Sequence, residues 1–182
     1  MNTFFNTKLI GRYKSLSQMV RVMSEDWVQR EMYSLSSKGG HLIRFPSNRR
    51  LSDFSSSDNG DIYELKSKNK SFGQKILAGN YYTTIQRLQE KNKPHFIFLT
   101  YDRVTWKVVS VMVIPRHFFK PRMIKKRKPL SDNAQRKGWT GCSIIMDSIP
   151  ENGKIFIVKD GVIREQSVVI KEWKRALLLK NK

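Results

Sequence analysis

The sequence predicts an α/β fold, a central mixed β-sheet flanked by helices, and three features predict it. Two runs, HFIFLTY at 95–101 and WKVVSVMVI at 106–114, are almost wholly apolar or β-forming, as buried strands are. Apolar residues recur at helical spacing over 15–33 and 74–91, as in helices that bury one stripe. The second of these lies between a strand at Glu64 and a strand at Phe96, so it is a crossover, and the strands it joins are parallel neighbours.

Taken in order, Leu16, Met19, Val20, Met23, Trp27, Val28 and Met32 form the stripe of the first helical region. Ser24, Glu25 and Asp26 interrupt it as a second N-cap, so the region reads as one helix or two. Residues 34–48 are rich in Ser, Gly and basic side chains and read as a loop. A hairpin follows, with its turn at 55–60 and Glu64-Leu65-Lys66 on the returning strand. The helix over 74–91 has Ile76, Leu77, Tyr81, Ile85 and Leu88 inward and is ended by Asn92 and Pro94. After the two apolar strands, 155–158 is a short strand and 168–179 closes the chain as a helix. No repeat or linker divides the sequence, so 1–182 is expected to be one domain.

Composition narrows the partner. The 182 residues carry 35 Lys and Arg against 15 Asp and Glu, a formal charge of +20. Such an excess favours a polyanion through counterion release, with nucleic acid first and an anionic membrane surface second. No apolar run approaches the roughly 20 residues of a membrane span, and the N-terminus lacks a secretion signal, which points to a soluble, cytoplasmic protein. The single cysteine, Cys142, excludes an internal disulfide and a cysteine-rich zinc site.

The stretch LSDFSSSDNGDIYELKSK, residues 51–68, concentrates the chemistry. Side chains alternate along a strand, so Glu64 and Lys66 share a face while Leu65 points to the packed side. The hairpin would bring Asp53 to the same face. Two carboxylates suit Mg²⁺, which takes one or two protein carboxylates and keeps its other positions for water and phosphate oxygens. A metal so held activates water for phosphodiester cleavage, and Lys66 would hold that water and offset negative charge. The competing reading is a solvated strand face with cross-strand ion pairs.

Motifs along the whole chain are more specific. SEDWV at 24–28, SDF at 52–54, ELKSK at 64–68, HFFKP at 117–121, RKPL at 127–130 and GWTGC at 138–142 resemble the catalytic domain of DpnI-like methyl-directed restriction endonucleases, nearly end to end. The resemblance implies the PD-(D/E)xK nuclease fold and Mg²⁺-dependent hydrolysis of double-stranded DNA. It makes Asp53 and Glu64 metal ligands, Lys66 the catalytic lysine and the Leu65 carbonyl a further ligand. It implies a prokaryotic enzyme specific for adenine-methylated GATC. The proline of the family motif is Ser52 here. The zinc-binding cysteines of these relatives correspond to Ser34, Ser37, Ser56 and Asn59, so no zinc is expected and hydrogen bonds or DNA must hold those loops. The sequence stops at Lys182, without the winged-helix domain that follows in such enzymes. Recognition is then expected from the nuclease domain alone, or from a partner or second protomer that also completes double-strand cleavage.

The DNA-contacting surface is expected in the basic stretch from Arg116 through Lys120 and Arg122 to Lys125, Lys126, Arg127 and Lys128, continued by Arg136 and Lys137. Such a run is a solvated loop unless phosphates neutralise it. Trp139 beside it would pack on a methyl group or base edge, although it could equally be core, as Trp27, Trp106 and Trp173 are expected to be. Arg49 and Arg50 would contact phosphates near the scissile bond. His41, His95 and His117 have no metal-ligand spacing. Besides the endonuclease reading, an inactive DNA-binding module of the same fold and a basic RNA-binding protein remain.

Overall fold

The computed structural model describes residues 15–32, 40–46, 52–72, 75–117, 121, 124–128, 132–145, 154–159 and 162–166. The expected terminal helix at 168–179 and Trp173 lie outside them. Ser15 caps the first helix, α1 (Leu16–Glu31), by accepting the Gln18 N–H at 3.2 Å. It is one helix. Ser24, Glu25 and Asp26 do not cap a second one; Glu25 and Asp26 reach instead to Arg44 and tie α1 to the sheet.

The loop expected at 34–48 contains a strand, β1 (Leu42–Arg44). It pairs antiparallel with β2 (Phe54–Ser56), which pairs antiparallel with β3 (Ile62–Asn69). A short 3-10 turn at Lys70–Phe72 follows. The expected helix over 74–91 divides: β4 (Lys75–Asn80) is a strand, and only α2 (Tyr81–Gln89) is helical. The break falls at Gly79-Asn80. Glycine is a poor helix former, and the Asn80 side chain caps α2 through the Thr83 N–H at 3.1 Å.

The apolar strands follow as β5 (His95–Asp102) and β6 (Lys107–Ile114), then β7 (Ile124–Arg127), the one-turn helix α3 (Asp132–Arg136), β8 (Gly141–Ile145), β9 (Lys154–Lys159) and β10 (Val162–Gln166). Seven strands form a mixed sheet in the order β1-β2-β3-β5-β6-β9-β10. Within it β3 and β5 run parallel, Glu64 beside Phe96 and Lys66 beside Phe98, as the crossover requires. A second sheet, β4-β8-β7, was not legible from the sequence.

One face of the large sheet packs on α1. Met19, Val20, Met23, Trp27 and Val28 meet Leu42, Phe54, Tyr63, Leu65, Ile97 and Leu99 in a single buried cluster. Trp106 packs only at its border, stacked on Tyr101 with ring centroids 6.1 Å apart. Cys142 is buried, its Sγ 3.5 Å from Thr84 Oγ1. Because Tyr63 and Leu65 point to α1, alternation sends Glu64, Lys66 and Lys68 to the opposite face. Among the described residues, no helix is long and apolar enough to cross a membrane.

Candidate active site

The β2–β3 register pairs Phe54 with Tyr63 and Ser55 with Ile62, and Asp53, just outside β2, lies close enough to Glu64 for their charges to interact. The Asp53 N–H bonds the Tyr63 carbonyl at 3.0 Å, one residue out of that register. There the ladder stops, and the Asp53 side chain takes over, Oδ2 accepting the Leu65 N–H at 2.6 Å. Beyond Tyr63 no described strand pairs with β3 on this side. Since a strand residue directs its N–H and C=O to the same edge, the Leu65 carbonyl faces the gap that holds Asp53.

Glu64 is nearly buried. Its Oε1 accepts from Lys66 Nζ and also from Arg87 Nη1 on α2, the latter at 2.8 Å. Among the described residues nothing engages Glu64 Oε2 or Asp53 Oδ1. Burial pushes the Asp53 carboxyl up to about 6, the nearby Glu64 charge pushes the same way, and Lys66 and the Leu65 N–H oppose them. Two facing carboxylates, each with an uncommitted oxygen and one resisting ionisation, fit a hard divalent cation. Asp53, Glu64 and the Leu65 carbonyl would be its protein ligands. Lys68, two positions beyond Lys66 on the same face, has its ammonium pKa lowered to about 8 by burial.

The hairpin turn is held by its own polar side chains. Ser56 Oγ donates to Asp58 Oδ1, while Asn59 accepts the Asp61 N–H at 2.9 Å and donates to Asp61 Oδ2 at 3.0 Å. These bonds occupy two positions that correspond to zinc ligands in the resembled enzymes; Ser34 and Ser37 lie outside the described residues. Asp61 also pairs with Arg116 and with His95 Nε2 at 3.3 Å. His95 Nδ1 accepts the Arg116 N–H at 3.1 Å, and Nε2 also lies 3.2 Å from Arg116 Nε. Burial holds that imidazole down to about 4, so it is neutral.

The expected basic loop is a strand for part of its length. Ile124 of β7 is buried while Lys125, Lys126 and Arg127 are exposed, an edge strand rich in lysine. Arg127 Nε donates to Ser143 Oγ at 3.1 Å, and Lys128 is exposed just beyond. Arg136 and Lys137 are exposed at the end of α3. Gly138, with φ of 67°, closes that helix in the left-handed region, and Trp139 N–H bonds the Ala134 carbonyl at 3.0 Å. Trp139 is thereby presented 53% exposed, not core, with Lys137 Nζ 5.9 Å from its ring centroid. Arg116 leaves the group for Asp61. Arg49, Arg50, Lys120 and Arg122 lie outside the described residues.

Two groups escaped the sequence reading. Arg87 stands next to the inner-stripe Leu88, and a charged residue there was the available sign that it faces a buried partner. Tyr82 is 61% exposed, with Lys126 Nζ 5.3 Å from its ring and 5.0 Å from that of Tyr81. The strand β7 that brings Lys126 there was not foreseen. A family model described as DpnI, Dam-replacing family, matches residues 1–182, the whole of this sequence.

Proposed function

The chain belongs to the DpnI family, the Dam-replacing family, and from that premise we propose that it is a restriction-type endonuclease of the PD-(D/E)xK class, a Mg²⁺-dependent hydrolase acting on double-stranded DNA. The observation that carries this reading is the convergence of Asp53, Glu64 and Lys66 on one face, with one oxygen of each carboxylate uncommitted. Residues 1–182 then work as one nuclease domain.

Bound at Asp53, Glu64 and the Leu65 carbonyl, Mg²⁺ would supply an acidified water and charge neutralisation on the phosphate. The chain's own groups do the rest. The Leu65 N–H fixes Asp53 by one oxygen and so aims the other. Lys66 Nζ, beside Glu64, is in position to hold the attacking water and to offset the charge that grows on the phosphate. The water gives up a proton to solvent as its oxygen bonds to phosphorus, the ester bond opposite breaks, and the departing alkoxide takes up a proton from solvent. In this reading the hairpin turn is held by the hydrogen bonds of Ser56 and Asn59 rather than by zinc.

Lys125, Lys126, Arg127, Lys128, Arg136 and Lys137 supply the phosphate contacts, which position DNA without reading it. Trp139 is the group that meets the methyl or base edge, with adenine-methylated GATC the site. Arg49 and Arg50 complete the contacts beside Asp53. A second protomer or a partner is proposed for cutting both strands.

The test uses plasmid grown with and without adenine methylation at GATC, incubated with Mg²⁺ or with EDTA. Cutting of the methylated plasmid alone, in Mg²⁺ alone, is the expected result. Cutting of both plasmids would keep the nuclease and remove methyl recognition. Binding without cutting in either would leave a DNA-binding module.

A further inference from the structure

Glu64 Oε1 receives two cationic groups from two different elements, Lys66 of β3 and Arg87 of α2. One would neutralise it. With both present, a dication held at the free oxygens of Asp53 and Glu64 would set four positive charges against two carboxylates in a largely buried place. Like-charge repulsion at such separations disfavours that arrangement, and the cheapest relief is for one cation to leave. Arg87 is the one able to go. Exposure does not choose between them, at 21% for Arg87 and 24% for Lys66, but Lys66 stands two residues from Glu64 on the same strand face, whereas Arg87 reaches in from α2, which stays anchored through buried Thr84 and Leu88 while the side chain moves. Its planar fork of donors also matches phosphate oxygens, which an ammonium contacts only as a point charge.

Resting on the nuclease reading, we propose that Arg87 is a further catalytic residue: its guanidinium neutralises Glu64 until a divalent cation binds, and is then released to the scissile phosphate. The same group thus screens the empty acid pair and charges the phosphate side of the loaded one. A residue that merely propped Glu64 would have a different signature, because its loss would weaken cation binding together with cleavage.

The test compares the unaltered protein with Arg87→Gln and Arg87→Lys. Ca²⁺ binding is measured by calorimetry without DNA, single-turnover cleavage in Mg²⁺, and DNA affinity in Ca²⁺. Arg87→Gln is expected to bind Ca²⁺ about tenfold tighter and to cleave roughly 100-fold slower, the loss typical of one transition-state donor, with DNA affinity nearly unchanged. Arg87→Lys, which keeps the charge and guards against misfolding, is expected to restore the Ca²⁺ affinity but not the rate. Unchanged or weaker Ca²⁺ binding by Arg87→Gln overturns the exchange at Glu64, and an unimpaired rate overturns the phosphate role. Absence of cleavage by the unaltered protein in every cation would sink the nuclease reading and the phosphate role with it, while Ca²⁺ affinity would still decide the exchange.

Discussion

Asp53 carries a charge that its surroundings resist. Its carboxyl is raised to about 6 by burial first and by Glu64 second, against an ordinary value near 4. Between pH 4 and 6 the folded protein therefore holds a proton at Asp53 that the unfolded chain releases, and stability from this group declines as pH rises through that window. Asp53→Asn should accordingly stabilise the metal-free protein by about 1–2 kcal/mol at pH 7.5. The gain should vanish near pH 4, where both side chains are neutral. Thermal midpoints across pH would measure it, and added Mg²⁺ should shrink the gain by stabilising only the unaltered protein. For the chemistry, Asp53→Ala or Lys66→Ala is expected to lower the single-turnover rate at least about 1000-fold while DNA affinity stays within a few-fold, since phosphate contacts supply most affinity. Joint loss of binding and cleavage in gel-shift and cleavage assays would refute that separation.

At the scale of elements, α1 and the two hairpin strands decide where the acids stand. The helix buries an apolar stripe on the sheet, and that forces Tyr63 and Leu65 inward and Glu64 and Lys66 outward. Within α1, the buried Ser24 hydroxyl has no hydrogen-bond partner among the described residues. Ser24→Ala removes an unsatisfied polar group from a helix interior and adds helix propensity, so it should raise stability by about 1 kcal/mol in urea denaturation. A loss of stability would mean that the hydroxyl has a partner. Residues 74–91 read as one helix because apolar residues recur in the sequence through both β4 and α2, and a short strand running into a helix imitates one longer helix. Gly79-Asn80 was the legible correction.

At the scale of the whole molecule, six exposed cations among the described residues, Lys125, Lys126, Arg127, Lys128, Arg136 and Lys137, lie on or just beyond β7 and at the end of α3, with exposed Tyr82 beside Lys126 and exposed Trp139 beside Lys137. If this face binds DNA, replacing Lys125, Lys126 and Lys128 by Ala should weaken binding to every sequence alike. The slope of log affinity against log salt should fall in magnitude by about 2 to 3, at roughly 0.9 for each phosphate no longer neutralised. An unaltered slope would remove β7 from the interface. Trp139→Ala should leave the slope intact and instead erode discrimination between methylated and unmethylated DNA, measurable as the ratio of the two affinities.

Much of the molecule was legible in the sequence because it is local. Alternation along 62–68 determined that Glu64 and Lys66 share a face, the long apolar runs determined β5 and β6, and the crossover determined that β3 and β5 are parallel. Composition favoured a polyanionic partner, and the motifs from SEDWV to GWTGC identified the family. What only the tertiary structure decided is long-range. The close of the hairpin put the Asp53 side chain on the Leu65 N–H beside Glu64; helix docking brought Arg87 to Glu64; pairing of β4, β8 and β7 turned an expected basic loop into an edge strand. Such contacts join residues distant in the chain, and no local period reports them, because the energy that selects them is shared by both partners and appears only when the core closes.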